Sequence, residues 1–271
     1  MGALHPGHLS LMERCRAECK VMIVSIFVNP TQFGEQSDLD NYPRTLEADS
    51  ALCEEAGVDI IFAPSPAEVY PQGFATSVHV SGVTDRWEGE QRPGHFDGVA
   101  TVVAKLFGMA MPERAYFGDK DFQQLALIRR MTQDLNLPVE IIGCPTVRER
   151  AGLAMSSRNI HLSNNEFDAA LCIPMALQAA LSAAQAGEQD PGKLAVLARQ
   201  VLSLRPELKT EYLAIVDPHT LEPRSGAVQD GDRIIAAVRC GAVRLIDNME
   251  LRLANAEQAQ DAQEYITGTR Q

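Results

Sequence analysis

The chain is short of positive charge. Twenty-four Lys and Arg stand against 36 Asp and Glu in 271 residues, a formal net charge of −12. A nucleic-acid interface needs a basic face, so nucleic acid is excluded as a partner class. Local Lys, Arg and His can still receive a small anion. Cysteine patterning is missing too. Cys15, Cys19, Cys53, Cys144, Cys172 and Cys240 form no C-x-x-C pair and meet no histidine at metal-ligand spacing, which argues against a zinc or dithiol motif. Free thiols in apolar contexts behave as small core residues, and the expectation is a cytoplasmic protein with reduced cysteines. No uninterrupted apolar run approaches the ~18 residues of a membrane span, and no charged segment followed by an apolar one opens the chain. Internal repeats and low-complexity tracts are absent.

What is present is an ordinary globular composition, 45% hydrophobic and 22% charged, long enough for one or two domains. The first eight residues, Met-Gly-Ala-Leu-His-Pro-Gly-His, run straight into an apolar-periodic stretch (Leu9, Leu11, Met12, Cys15, Cys19) that reads as a helix. His5 and His8 therefore sit at a helix N-terminus, where unpaired N–H groups and the helix dipole favour an anion. The same stretch also reads as two surface histidines near a chain end. Val21–Val28 is an unbroken β-branched run, expected as a strand buried on both faces, and it ends in the polar loop 29–34. A helix at Glu47–Ala56 and a strand at Val58–Ala63 follow. Ser77–Val80 reads as a strand or as part of an excursion. Then come a helix at Gly98–Met111, a strand at Arg114–Phe117, a helix at Phe122–Leu135 and a strand at Val139–Cys144. This alternation predicts an α/β fold, a Rossmann-like doubly wound parallel sheet.

Past the polar loop Gly152–Asn159 the pattern changes. Helices at Asn165–Ala186 and Pro191–Leu204 precede strands at Tyr212–Val216, Arg233–Val238 and Ala242–Ile246, which predicts a smaller α+β C-terminal domain. The expected division is residues 1–158, 159–257 and a polar tail, 258–271.

Three more clusters carry chemistry. Gly118-Asp119-Lys120-Asp121 follows a strand and opens a helix. It reads as a capped helix start with Asp121 as N-cap, or as Lys120 on a phosphate and Asp121 on a ribose hydroxyl or a metal ion. Gln123 and Gln124 come next, one of them facing the same cleft. Met155-Ser156-Ser157-Arg158 joins two hydroxyls to a guanidinium, suited to polyphosphate or serving as an inter-domain linker. Asn29 and Gln32 offer neutral amides that can orient a carboxylate or a hydroxyl, or simply shape a turn. The other histidines, His79, His95, His161 and His219, read as structural.

The H-x-G-H turn and the M-S-S-R loop resemble the paired signatures of the HIGH-type nucleotidyltransferase superfamily. Adding Phe27–Phe33 (FVNPTQF), Tyr42-Pro43-Arg44, Arg92-Pro93, His95-Phe96, Gly118–Gln124, Gly152–Asn159 (GLAMSSRN) and Arg244–Asn248, the chain is similar to the pantothenate synthetase (pantoate–β-alanine ligase) family. That resemblance implies a ligase of pantothenate biosynthesis. ATP and pantoate form a pantoyl-adenylate with release of pyrophosphate, and β-alanine then displaces AMP. It implies His8 as proton donor with His5 and Lys120 beside it. Met1, Gly2, Ala3, Leu4, His5, Pro6, Gly7 and His8 would line the ATP site. Gly118, Asp119, Lys120, Asp121, Val147, Met155, Ser156, Ser157 and Arg158 would complete it. Gln32 and Gln124 would hold pantoate, Mg²⁺ would ride on the triphosphate, and the protein would be a homodimer.

Three positions depart from the family pattern. Asp119 stands for the usual Glu. Glu149-Arg150-Ala151 stands for Glu-Ala-Asp, removing an acceptor that could brace the following loop. The chain also begins at the turn, where the family carries a helix and the first sheet strand, so the expectation is a truncated sequence with the central strand missing. Two alternatives follow from these features: a non-catalytic form that binds nucleotide or dimerises, and a nucleotidyltransferase acting on another small acid.

Overall fold

The computed structural model describes residues 2–33, 39–40 and 42–253. Met1, Gly34 of the polar loop and the tail 258–271 lie outside the described residues. The chain divides into two compact units, one comprising residues up to Ile160 with His219–Leu221, the other His161–Pro218 with the residues from Glu222 onward.

In the first unit, helix α1 (Pro6–Glu18) leads to strand β1 (Ile23–Ser25), and helix α2 (Leu46–Glu55) leads to β2 (Ile60–Phe62). Short helical turns α3 (Pro66–Val69) and α4 (Glu88–Gln91) precede the long helix α5 (His95–Ala110). Strand β3 (Arg114–Gly118), helix α6 (Phe122–Asp134) and strand β4 (Glu140–Cys144) follow. Strand pairing is parallel throughout, as βα alternation requires, with Val24 opposite Ile61 and Tyr116 opposite Ile142. The expected single sheet is present as two parallel pairs, β1–β2 and β3–β4, with no ladder joining them among the described residues.

This corrects the expectation that Val21–Val28 is buried on both faces. Val21 is 61% and Ile23 41% exposed, and only Met22, Ile26 and Phe27 of the run are fully buried. Met22, Val24 and Ile26 face the packed side while Val21, Ile23 and Ser25 on the other side are exposed, and among the described residues β1 is ladder-paired to β2 alone. Met12 of α1 packs with Met22, Ile26 and Cys53, and Leu4, Leu9 and Cys15 close around them. The helix that follows the histidine turn is thereby tied to β1 and α2. Residues 77–80 form no strand; the Val78 N–H donates to Thr101 Oγ1 of α5 instead.

The second unit carries helices α7 (Asn164–Ala170), α8 (Cys172–Gln185) and α9 (Pro191–Leu202) on a three-stranded antiparallel sheet of β5 (Leu208–Val216), β6 (Arg233–Cys240) and β7 (Val243–Glu250), ordered β5-β6-β7. Asn164–Gln185 is long and apolar enough to cross a membrane by length and composition alone, its mean hydropathy reaching 1.5 over 18 residues. Alanine and leucine raise its mean without one unbroken apolar run. Ile173, Ala176, Leu177, Ala180 and Ala184 are buried, and α8 packs on α9, β6 and β7, the placement of a core helix. Within the RLIDN stretch, Arg244 Nε donates to Glu211 Oε2 at 2.6 Å, and Asn248 Oδ1 accepts from Arg233 at 2.6 Å. These contacts add side-chain links from β7 to β5 and to β6 across the backbone ladders. All six cysteines are free.

Candidate active site

His5 is the N-cap of α1, in an extended conformation, and Pro6 fills the first helical position, where its missing N–H costs nothing. The helix start is closed by its own histidines. His5 Nδ1 accepts the Gly7 N–H at 3.1 Å, and His8 Nδ1 accepts the His5 N–H at 3.2 Å. This is a capping box built from imidazoles in place of hydroxyl and carboxylate. It corrects the expectation that unpaired N–H groups await an anion there, because the first donors are occupied. It also sets the tautomers: with both Nδ1 atoms accepting, each ring carries its proton on Nε2. The rings lie 4.0 Å apart, tilted by 43°. Burial, then the His5 ring, pushes His8 down to about 3; burial, then Lys120, also lowers His5. Near neutral pH both are uncharged donors.

Lys120 and Asp121 arrive from the 3-10 turn that ends β3 (Asp119–Asp121). Both act electrostatically on His5 and on His8, so the structure brings this cluster to the histidine turn. Asp121 precedes α6 as its N-cap residue, yet its side chain makes no capping hydrogen bond. Its carboxylate lies 3.8 Å from Lys120 Nζ instead, so the capped-helix reading does not account for it. Asp119 takes another direction. A Cβ added at Gly143 would stand 2.6 Å from Asp119 Oδ1 and 3.0 Å from Arg129, so its carboxylate lies against β4.

The M-S-S-R loop also approaches the turn, since a Cβ added at Gly7 would sit 3.8 Å from Met155 Cβ. Its base is a small hairpin. Arg148 bridges Ala154, Met155 N–H donates to Val147 O at 3.0 Å, and Glu149 N–H donates to Leu153 O at 2.8 Å. Asn159 Nδ2 donates to Glu149 Oε1 at 2.6 Å and to Ala154 O at 3.1 Å. Glu149 thus supplies a brace, and the Ala151 departure does not leave the loop without one. Ser156 Oγ accepts the Arg158 N–H at 3.2 Å.

Gln32 stands on the 3-10 turn Pro30–Gln32 after β1. Asn29, only 1% exposed, fixes its orientation. Asn29 Oδ1 accepts from Thr31 Oγ1 at 2.9 Å and Tyr70 OH at 2.8 Å, which leaves its Nδ2 as donor to Gly98 O at 3.1 Å and to Gln32 Oε1 at 3.2 Å. Gln32 is therefore set with Oε1 toward Asn29 and its NH₂ turned away, a geometry that suits an acceptor such as a carboxylate or hydroxyl oxygen. Its backbone carbonyl accepts from His95 Nδ1 at 2.8 Å and from Arg92 at 3.3 Å. Burial, then Arg92, pushes His95 down to about 4, so it too is neutral. As expected of a structural histidine, His95 holds the backbone of the Gln32 turn. Of the two glutamines on α6, Gln123 is buried, accepts from Glu88 N–H and donates to Val83 O and Arg86 O. Gln124 is the half-buried one.

Sequence reasoning missed Asp49. Its carboxylate accepts the Ala3 N–H at 2.9 Å and the Leu4 N–H at 2.8 Å. The signal was an acidic residue one helical turn before Cys53, on the side of α2 that faces the core. No group of three or more His, Cys, Asp or Glu able to hold a metal occurs among the described residues.

A family model described as pantoate-β-alanine ligase matches residues 1–250. The chain is 52% identical over 248 residues to the pantothenate synthetase of Syntrophotalea carbinolica, covering 92% of this chain and 87% of that one. It is 49% identical over 253 residues to that of Aquifex aeolicus, covering 93% and 89%. The crystal structure of pantothenate synthetase from Thermus thermophilus superposes with a TM-score of 0.90 at 51% identity, covering 93% of this chain and 91% of that one. The pantoate-β-alanine ligase of Francisella tularensis, complexed with beta-gamma ATP and β-alanine, superposes with a TM-score of 0.75 at 34% identity, covering 92% and 87%.

Proposed function

The chain belongs to the pantoate-β-alanine ligase family, and on that premise we propose that it joins pantoate to β-alanine with ATP by way of a pantoyl-adenylate. A pantoate carboxylate oxygen attacks the α-phosphorus of ATP, the bond to the β-phosphate oxygen breaks, and pyrophosphate leaves. The β-alanine amine then attacks the acyl carbon, the acyl–phosphate bond breaks with AMP leaving, and the amine proton is lost. The observation that carries this reading is the convergence of His5, His8, Lys120 and Asp121, with the M-S-S-R loop beside the same turn.

The protein's part is positioning and charge stabilisation. The Nε2–H groups of His5 and His8 donate to phosphate oxygens, His8 being the principal donor as charge builds on the departing pyrophosphate. Lys120 and Arg158 add positive charge, with Ser156 and Ser157 as further donors. Gly2 to Gly7, Gly118 to Asp121, Val147 and Met155 line the nucleotide. Gln32 and Gln124 hold pantoate through neutral amides, which orient a carboxylate without lowering its nucleophilicity as a cation would. Mg²⁺ would ride on the triphosphate, where it neutralises charge; the Asp121 carboxylate lies 3.8 Å from Lys120 Nζ. We place the ATP and pantoate sites in residues 1–158, and read the protein as a cytoplasmic homodimer.

The neutral Gln32 and Gln124 count against a phosphorylated second substrate, which would call for Lys or Arg. Pyrophosphate release that requires pantoate, followed by pantothenate formation that requires β-alanine, is the expected result. Pyrophosphate release without pantoate, or AMP formed without pantothenate, would refute the ligase reading.

A further inference from the structure

The turn that opens α1 is conformationally costly. Gly2 has φ +95° and Ala3 has φ +52°, and the left-handed region disfavours any residue with a side chain. Such a turn persists only where something outside it holds it. Here the holder is a single side chain 46 residues away in sequence. Asp49 Oδ2 takes the Ala3 N–H and Oδ1 takes the Leu4 N–H, while Thr45 Oγ1 donates to Oδ1 at 3.2 Å. Asp49 is 2% exposed. No Lys or Arg forms an ion pair with it among the described residues, so consecutive amides and one hydroxyl satisfy the carboxylate. A Cβ added at Gly2 would stand 3.2 Å from Asp49 Oδ2, so the turn and the carboxylate are fitted closely to one another.

We propose that Asp49 is a positioning residue for the nucleotide: by binding the Ala3 and Leu4 N–H groups it sets where His5 and His8 stand. This rests on the reading that the turn receives ATP. It also divides the labour within the turn. The Ala3 and Leu4 N–H groups point at α2, so the donors offered to a phosphate are the two imidazoles. Gln32 depends on different supports, Asn29, Gly98 and His95, so a fault at Asp49 falls on ATP and spares pantoate.

Asp49→Asn keeps the shape and puts an NH₂ where one of two N–H donors needs an acceptor. Thr45→Val and Gly2→Ala disturb the same contact from either side. Steady-state kinetics of the full chain, with thermal unfolding of each variant, decide the matter. For Asp49→Asn we expect kcat/KM for ATP to fall about 10–100-fold while KM for pantoate stays within about twofold; Gly2→Ala should follow the same direction. Unchanged ATP parameters, or ATP and pantoate parameters falling together with the folded fraction, overturn the proposal. If the wild type forms no pantothenate, the ligase reading fails separately. ATP titration calorimetry then decides Asp49, equal affinity in wild type and Asp49→Asn being the contrary result.

Discussion

His5 and His8 cap a helix with their Nδ1 atoms and present Nε2–H groups, which makes them neutral donors. As stabilisers of developing phosphate charge, groups of this kind are worth about 10²–10³ in rate each. His8→Ala and Lys120→Ala are each expected to slow pyrophosphate release by at least that order, and near-normal release in either would remove that residue from the role. The same burial has a thermodynamic side. An unfolded histidine takes up its proton near pH 6.5, whereas the fold holds His8 down to about 3 and His95 to about 4. Between those limits the unfolded chain binds more protons, so stability is full above about pH 6.5 and is lost as pH falls toward 4. The limiting slope is about 1.4 kcal/mol per pH unit for each histidine. Urea unfolding should show a lower midpoint at pH 5 than at pH 7.5, and His95→Asn should flatten that difference; a midpoint independent of pH would contradict it. The histidines, Lys120 and the M-S-S-R residues are legible in sequence because each sits in a short motif of unusual chemistry. Asp49 and the Asn29–Tyr70 contact are not, since their meaning lies in partners 46 and 41 residues distant.

Among the elements, α5 shows how a helix can place a loop. Gly98 lies one turn into it, and a Cβ there would stand 2.5 Å from Thr31 O and 2.9 Å from Gln32 N. The missing side chain lets the Gln32 turn rest directly on the helix. Gly98→Ala should push that turn away, raising KM for pantoate about tenfold and lowering stability by about 1–3 kcal/mol, as overpacking does. An unchanged KM for pantoate would show that the contact does not position Gln32. The periodic helices were readable to within a residue or so, with three exceptions: α5 begins three residues earlier than expected, at His95, the helix expected over Asn165–Ala186 is split at Leu171 into α7 and α8, and α9 ends two residues early, at Leu202. Strand β3 runs one residue past its expected end, to Gly118, whereas β1 and β2 were read too long, because β-branched composition marks an apolar run while pairing needs a neighbour along its whole length. Residues 23–25 have one, opposite 60–62. Ser77–Val80 has none on a sheet, and its weak alternation ends in a side-chain contact with α5.

For the whole molecule, two compact units carry distinct tasks in this account, nucleotide and pantoate chemistry in the first and a hairpin sheet under helices in the second. Alternation of strand and helix followed by helices and then hairpin strands was enough to read that class. Unreadable from composition was the separation of the parallel strands into two pairs, unjoined among the described residues, which depends on which backbone edges meet. A homodimer is the expected assembly, and sedimentation equilibrium should return twice the chain mass of 29.6 kDa; a single-chain mass at all concentrations would correct it. The most direct test is quantification of AMP and pantothenate from purified protein given ATP, pantoate and β-alanine, with each reactant omitted in turn. The account predicts AMP and pantothenate in equal amounts, with no pantothenate when any reactant is left out; no AMP from the complete mixture, or AMP without pantothenate, would contradict it.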